Sequence, residues 1–219
     1  FRIGEWVGDQ VAERTGAIVA PMLPYGYSEV FRRFPGTVTL EASTVHAVMY
    51  DVVVSFVERG LDHIVFLCGH NGNMPILDHV ARRIRREYGI RLGCFEPFRL
   101  FSPATMAEAY GRQGVATAHG SDPITSFNLF LFPDDVRLDL IEEEQLTTYE
   151  NMTVKGSTQL SLGDVAGHIY FDTLDLAPNG VMGDVSVFNA EAGGKLLQHI
   201  VDKGVEFVTL FKEHDTRIA

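Results

Sequence analysis

Hydrophobic positions along this chain follow two alternating rhythms. From Ile3 to Thr15 apolar residues recur at helical spacing, and Ala17 to Ala20 is an apolar run of strand length. A loop rich in proline, glycine and tyrosine follows, from Pro21 to Glu29. Ser43 or Thr44 is the expected cap of a helix with Val45, Val48, Met49, Val52, Val53 and Phe56 on one face, ended by Gly60. His63 to Cys68 is continuously apolar and reads as a buried parallel strand. A helix with Ile76, Leu77, Val80 and Ile84 inward comes next, then a strand from Ile90 to Glu96. This alternation predicts right-handed crossovers and an α/β fold with a mostly parallel sheet covered on both faces.

The second half is less regular. Asp122 to Phe132 reads as a helix, Thr147 to Ala177 as short strand-like pieces and loops, and Ala190 to Phe211 as one long helix despite Gly204. With no repeat, low-complexity tract or linker, residues 1–219 are expected to form a single domain.

Charge narrows the partners. A net charge of −11 and a pI near 5.1 argue against nucleic acid, which needs clustered cations. Arg82, Arg83, Arg85 and Arg86 are basic, but they close a helix, where positive charge suits the dipole. Cys68 and Cys94 lie in apolar runs and read as buried thiols, not a disulfide. With no apolar run of transmembrane length and no signal peptide, the expected place is the cytoplasm, away from membranes. The first helix opens at Phe1 without a cap or an initiator methionine, so a preceding segment is expected.

Candidate chemistry gathers at strand ends. Gly69-His70-Asn71-Gly72-Asn73 follows the central strand, where ligands of open α/β sheets bind. Asn73 is placed to cap a helix whose first turn holds Pro75. A second loop, Thr117-Ala118-His119-Gly120-Ser121-Asp122-Pro123, puts an imidazole and a carboxylate before another helix, with Pro123 expected at its first position. Such groups suit a catalytic metal or proton transfer. The plainer alternative is that Asp122 caps its helix and His119 bonds a carbonyl. Ser28-Glu29 ends the tyrosine-rich loop, where a substrate wall is expected. Ser28 lacks the surroundings of a nucleophile elbow. His46, His79 and His199 fall mid-helix, His63 opens a strand, His214 lies in the tail, and His168 sits in a glycine-rich segment. The turn at Gly69 to Asn73 lacks the lysine of a phosphate loop.

Four blocks in order give the chain a resemblance to the creatininase (creatinine amidohydrolase) family. They are Tyr25-Gly26-Tyr27-Ser28-Glu29 with Phe34-Pro35-Gly36-Thr37, then Gly69 to Asn73, then His119 to Ser126, then Asn179-Gly180-Val181-Met182-Gly183-Asp184. The resemblance implies a three-layer sandwich with a mostly parallel central sheet flanked by helices. It implies a cytoplasmic, metal-dependent amidohydrolase that assembles as a homo-oligomer, usually a hexamer. By position His70 and Asp122 would be metal ligands and His119 the proton shuttle. Tyr25, Ser28, Glu29 and Asn71 would line the substrate pocket. The cofactor would be a divalent metal, two ions per chain in the full-length protein, with zinc, manganese or iron all suited to mixed imidazole and carboxylate ligands.

The chain also departs from the family pattern. The first metal block, which in members precedes the opening helix, is not in this sequence, so a strand and three ligands are expected upstream. Val30 stands where the family has a histidine, and Ile124 where it has a second glutamate. Val115 and Ala118 occupy positions held by a tryptophan and a histidine in creatininase proper. These changes, with Tyr25, Tyr27 and Phe31, point away from creatinine toward a flatter or more apolar ligand. Two functions stay open: hydrolysis of a cyclic or small non-peptide amide, or a metal-poor paralogue that binds a small ligand or serves as a complex subunit.

Overall fold

The computed structural model describes residues 1–115, 119–141, 148–154 and 159–218. Two compact units emerge from the chain's internal contacts: Phe1–Tyr27, Thr39–Leu100 and Leu197–Ala219 form the first, Ser28–Val38 and Phe101–Leu196 the second.

The first unit is a layered α/β assembly. Helix α1 (Arg2–Thr15) ends at Gly16 in the left-handed conformation. Helix α2 (Ala42–Val57) starts before the expected Ser43 or Thr44 cap: Glu41 holds the cap position, and its side chain does not cap the helix. Strand β1 (Val65–Leu67) leads to helix α3 (Met74–Tyr88), and strand β2 (Gly93–Phe95) pairs parallel with β1. Both strands are shorter than their apolar runs; Ile90 instead bridges Arg217.

Alternation along these strands makes the layers. Phe66 and Cys68 join Val53 of α2 and Leu77, Val80 and Ile84 of α3 in one core, with Cys94 packed against it. Residues of opposite parity face α1 and the second half of helix α7 (Ala190–Lys212). A Cβ at Gly8 would meet Leu67, and one at Gly93 would stand 3.3 Å from Phe211. Gly204, awkward in a long helix by propensity, has a packing reason. A Cβ there would lie 2.7 Å from Val11 and 3.3 Å from Phe95, so glycine lets α7 approach α1 and β2.

One expected strand is not formed. Ala17 to Ala20 belongs to no sheet, and Ile18 is 92% exposed. Apolar composition alone does not make a strand; it needs a ladder partner, and among the described residues β1 pairs only with β2.

In the second unit, α4 (Pro103–Tyr110) was not marked by strong periodicity; Ser102 caps it by accepting from the Thr105 N–H. Helix α5 (Ile124–Leu131) is shorter than expected, and Pro123 takes its cap position, not its first turn. Strands β3 (Thr148–Tyr149), β4 (Met152–Val154), β5 (Gln159–Leu162) and β6 (Val165–His168) form an antiparallel meander. Helix α6 (Thr173–Leu176) follows, and Leu176 packs with Phe171 against Tyr149, Met152 and Val154. Part of the strand-like stretch, residues 155–158, lies outside the described residues, as does Thr147.

Candidate metal-binding and active site

Beyond β1, the chain turns sharply around His70. The Cys68 N–H donates to the Phe95 carbonyl at 3.1 Å, and the Cys68 thiol donates to the His70 carbonyl at 3.2 Å. Burial pushes that thiol's pKa up, keeping it a neutral donor. His70 itself is extended (φ −148°, ψ 114°) and half-buried. A Cβ at Gly72 would stand 2.6 Å from His70 Nε2 and 3.3 Å from the Tyr27 carbonyl. The imidazole therefore lies against the space beside Gly72 that a Cβ would share.

Asn73 does not use its side chain to cap α3. Its Oδ1 instead accepts the Tyr27 N–H at 3.0 Å, while the Leu40 N–H donates to the Gly26 carbonyl at 2.9 Å. A Cβ at Gly26 would crowd Asn73 Nδ2 at 2.9 Å. The carboxamide thus ties the tyrosine-rich loop to the His70 turn. Tyr25 and Asn71 are exposed beside it.

Asp122 lies in the second unit and is fully buried, at 0% exposure. Its Oδ1 accepts the Ser126 N–H at 3.2 Å and the Ser126 hydroxyl at 2.6 Å. The same hydroxyl oxygen accepts from Tyr110 at 3.2 Å and from the Asn189 N–H at 2.9 Å. Asp122 Oδ2 is buried without a hydrogen-bond partner. Burial raises the carboxyl's pKa, although the bonds from Ser126 oppose the shift. Burial likewise pushes the Tyr110 phenol up. Asp122 therefore does bond the first turn of its helix, as the plainer alternative has it, but with one oxygen only. The second oxygen is costly in a metal-free interior and suits a cation.

His119 is exposed and has two constraints on its ring. Its Nδ1 lies 2.8 Å from the Gly180 carbonyl, which can only accept, so Nδ1 carries the proton. Its ring stacks on Phe31 at 4.3 Å between centroids and 24° between planes. The backbone is clipped as well, the Met182 N–H donating to the His119 carbonyl at 2.8 Å. Gly120 has φ +65°, and a Cβ there would meet the Gly180 carbonyl at 2.7 Å. The glycine-rich block after Asn179 is thus the seat of His119.

Ser28 and Glu29 open a single turn of 3-10 helix in the same unit, and Glu29 pairs with Arg32 at 2.7 Å. So Tyr25, His70 and Asn71 belong to the first unit, and Ser28, Glu29, His119 and Asp122 to the second. Among the described residues, no group of three or more histidine, cysteine, aspartate or glutamate side chains gathers in the manner of a metal cage. Thr117 and Ala118, part of the His119 block, lie outside the described residues. Sequence reading missed Tyr110, Asn189 and Gly193. Ser126 was at hand, four residues after Asp122, where a helix-start carboxylate finds its partner.

Elsewhere the arginine cluster is a charged helix face: Arg82 pairs with Asp78, and Arg83 pairs with Glu87 and lies over the Tyr50 ring at 3.6 Å. Cys68 and Cys94 are free thiols. No described helix is long and apolar enough to cross a membrane.

Comparison with known proteins adds the following. The family model Creatininase, described as creatinine amidohydrolase, matches residues 1–208. A creatinine amidohydrolase of Pseudomonas putida is 29% identical over 157 residues, 64% of this chain and 59% of that protein. The match thus spans less than two thirds of that relative's length. A mycofactocin precursor peptide peptidase of Mycobacterium ulcerans is 26% identical over 210 residues, 92% of this chain and 73% of that protein. Of solved structures, a creatininase designated Mn aligns with a TM-score of 0.73 at 24% identity, covering 96% of this chain and 80% of that one.

Proposed function

The chain belongs to the creatininase family, and from that premise we propose that it acts in a metal-dependent amidohydrolase on a cyclic or small non-peptide amide. Family membership supports amide hydrolysis in general, and the finer substrate class is our reading. The observation that carries it is Asp122: a fully buried carboxylate with one oxygen hydrogen-bonded and the other without a partner.

His70 and Asp122 would each be a ligand of a divalent ion, with zinc, manganese or iron suited to imidazole and carboxylate donors. The solved relative designated Mn supports a divalent metal. Such an ion supplies Lewis acidity, lowering the pKa of water to about 7 and polarising a carbonyl oxygen. The chain's own groups do the rest. With Nδ1–H committed to Gly180, His119 presents Nε2 as the atom that takes up a proton and returns it to the leaving nitrogen. Stacking on Phe31 holds the ring in one plane while it does so. Ser28, Glu29, Tyr25 and Asn71 would contact the substrate. A homo-oligomer, a hexamer by family resemblance, is the expected assembly.

Metal analysis of the purified full-length protein, before any metal is added, tests this. One or two equivalents of zinc, manganese or iron per chain, lost in Asp122→Ala and in His70→Ala, is the expected result. Full hydrolytic activity in a chelated, metal-free preparation would sink it. Val30 and Ile124, standing at expected polar positions, favour the second reading, a ligand-binding paralogue without catalysis. A folded, metal-free protein that retains a small ligand would establish that one. The peptidase relative makes a short peptide the competing substrate class. Cyclic amides hydrolysed faster than peptides would decide for the first.

A further inference from the structure

We propose that Ser126 is a positioning residue that aims the unpartnered oxygen of Asp122, and that the start of α7 holds Ser126 in place for that task. This inference rests on the reading of Asp122 as a metal ligand. The geometry is a relay of committed hydrogen bonds. Ser126 has one hydroxyl proton, and it goes to Asp122 Oδ1 at 2.6 Å. The two acceptor positions on Ser126 Oγ are filled by the Tyr110 hydroxyl at 3.2 Å and the Asn189 N–H at 2.9 Å. With both acceptor positions taken, the serine proton has one direction left to point. The Ser126 N–H adds a second bond to the same carboxylate oxygen. Oδ1 is thus held twice, and rotation of the carboxylate about its own axis would break both bonds. Oδ2 keeps the remaining direction and no partner.

The support for Ser126 comes from far along the chain. Asn189 accepts the Ala192 N–H on its own side chain at 3.1 Å, fixing the first turn of α7 while its backbone N–H reaches Ser126. A Cβ at Gly193 would stand 2.1 Å from the Ser126 carbonyl oxygen, so only glycine lets α7 come close enough for that bond. Outer partners of this kind orient a ligand, and losing one costs metal affinity by about 10–100-fold.

Manganese(II) alone is the probe, added to the metal-stripped protein, with binding followed by calorimetry and by the electron paramagnetic resonance of the bound ion. Ser126→Ala should weaken manganese binding by about 10–100-fold and change the resonance line shape, because the carboxylate keeps only the longer bond from the backbone N–H and is held less firmly. Tyr110→Phe keeps the ring and removes one hydroxyl; it should weaken binding by a smaller factor in the same direction. It also decides the matter if Ser126→Ala fails to fold. A purely structural role for Ser126 would lower melting temperature but leave the resonance of the bound ion unchanged. If both variants fold and bind manganese as the parent does, while Asp122→Ala does not bind, the positioning role is wrong and Asp122 stands as ligand. If Asp122→Ala binds as the parent does, the ligand reading itself has failed.

Discussion

The turn at His70 and the buried seat of Asp122 hold a candidate ligand in different ways. His70 is half-buried at a strand end, where Gly72 leaves room for its ring and Asn73 ties the neighbouring loop. Asp122 is enclosed, and its carboxylate is placed by hydrogen bonds from Ser126. A ring end that is half open to solvent tolerates small movements. A hydrogen-bonded network in an interior does not, since each broken bond leaves a further buried group unpaired.

The largest test of this contrast is Gly193→Ala. Its Cβ would press on backbone at 2.1 Å, not on a movable side chain. A loss of about 3 kcal/mol, the upper part of the usual overpacking range, is expected in urea unfolding. A loss under about 1 kcal/mol would show that the second seat yields as easily as the first.

Next comes pH. Burial raises the Asp122 pKa in the folded chain, so the native state holds that proton longer than the unfolded state. In the chelated protein this group's contribution to stability is fully present below the ordinary carboxylate value of about 3.9 and is lost as pH rises through the raised value. Asp122→Asn should remove that decline, read as the difference between the two proteins' urea midpoints from about pH 4 upward. Parallel curves would mean that the carboxylate is not strained in the fold.

Asn73→Ala should be smaller. It leaves the Tyr27 N–H without its side-chain acceptor and should cost about 1 kcal/mol by thermal unfolding. Gly72→Ala should be smaller still in stability, within about 0.5 kcal/mol, because its Cβ meets the end of a ring that can swing. It should nonetheless shift the imidazole nitrogen resonances of His70. An unmoved resonance would show that the ring does not depend on Gly72.

Much of the first unit was legible in the sequence because its signals are local and periodic. Helical spacing marked α1, α3 and α7, and the apolar runs before Gly69 and through Cys94 marked the paired strands. Ala17 to Ala20 misled, because a strand is a relation between segments and one apolar run cannot supply its own partner. Asn73 misled similarly: its type and place suit a cap, but Tyr27, 46 residues away, has the stronger claim on it.

The sequence by itself marked which residues are candidates for chemistry and in what order: the His70 turn, the His119 loop with Asp122, and the glycine-rich block from Asn179. Residue type and near-neighbour spacing are enough for that. Only the tertiary structure decided what each residue is bonded to. That His119 Nδ1 is committed to Gly180, that Ser126 is held by Tyr110 and Asn189, and that one oxygen of Asp122 is left over all depend on segments up to 63 residues apart. Hydrogen bonds act over about 3 Å in space, and separation along the chain carries no record of which groups will meet.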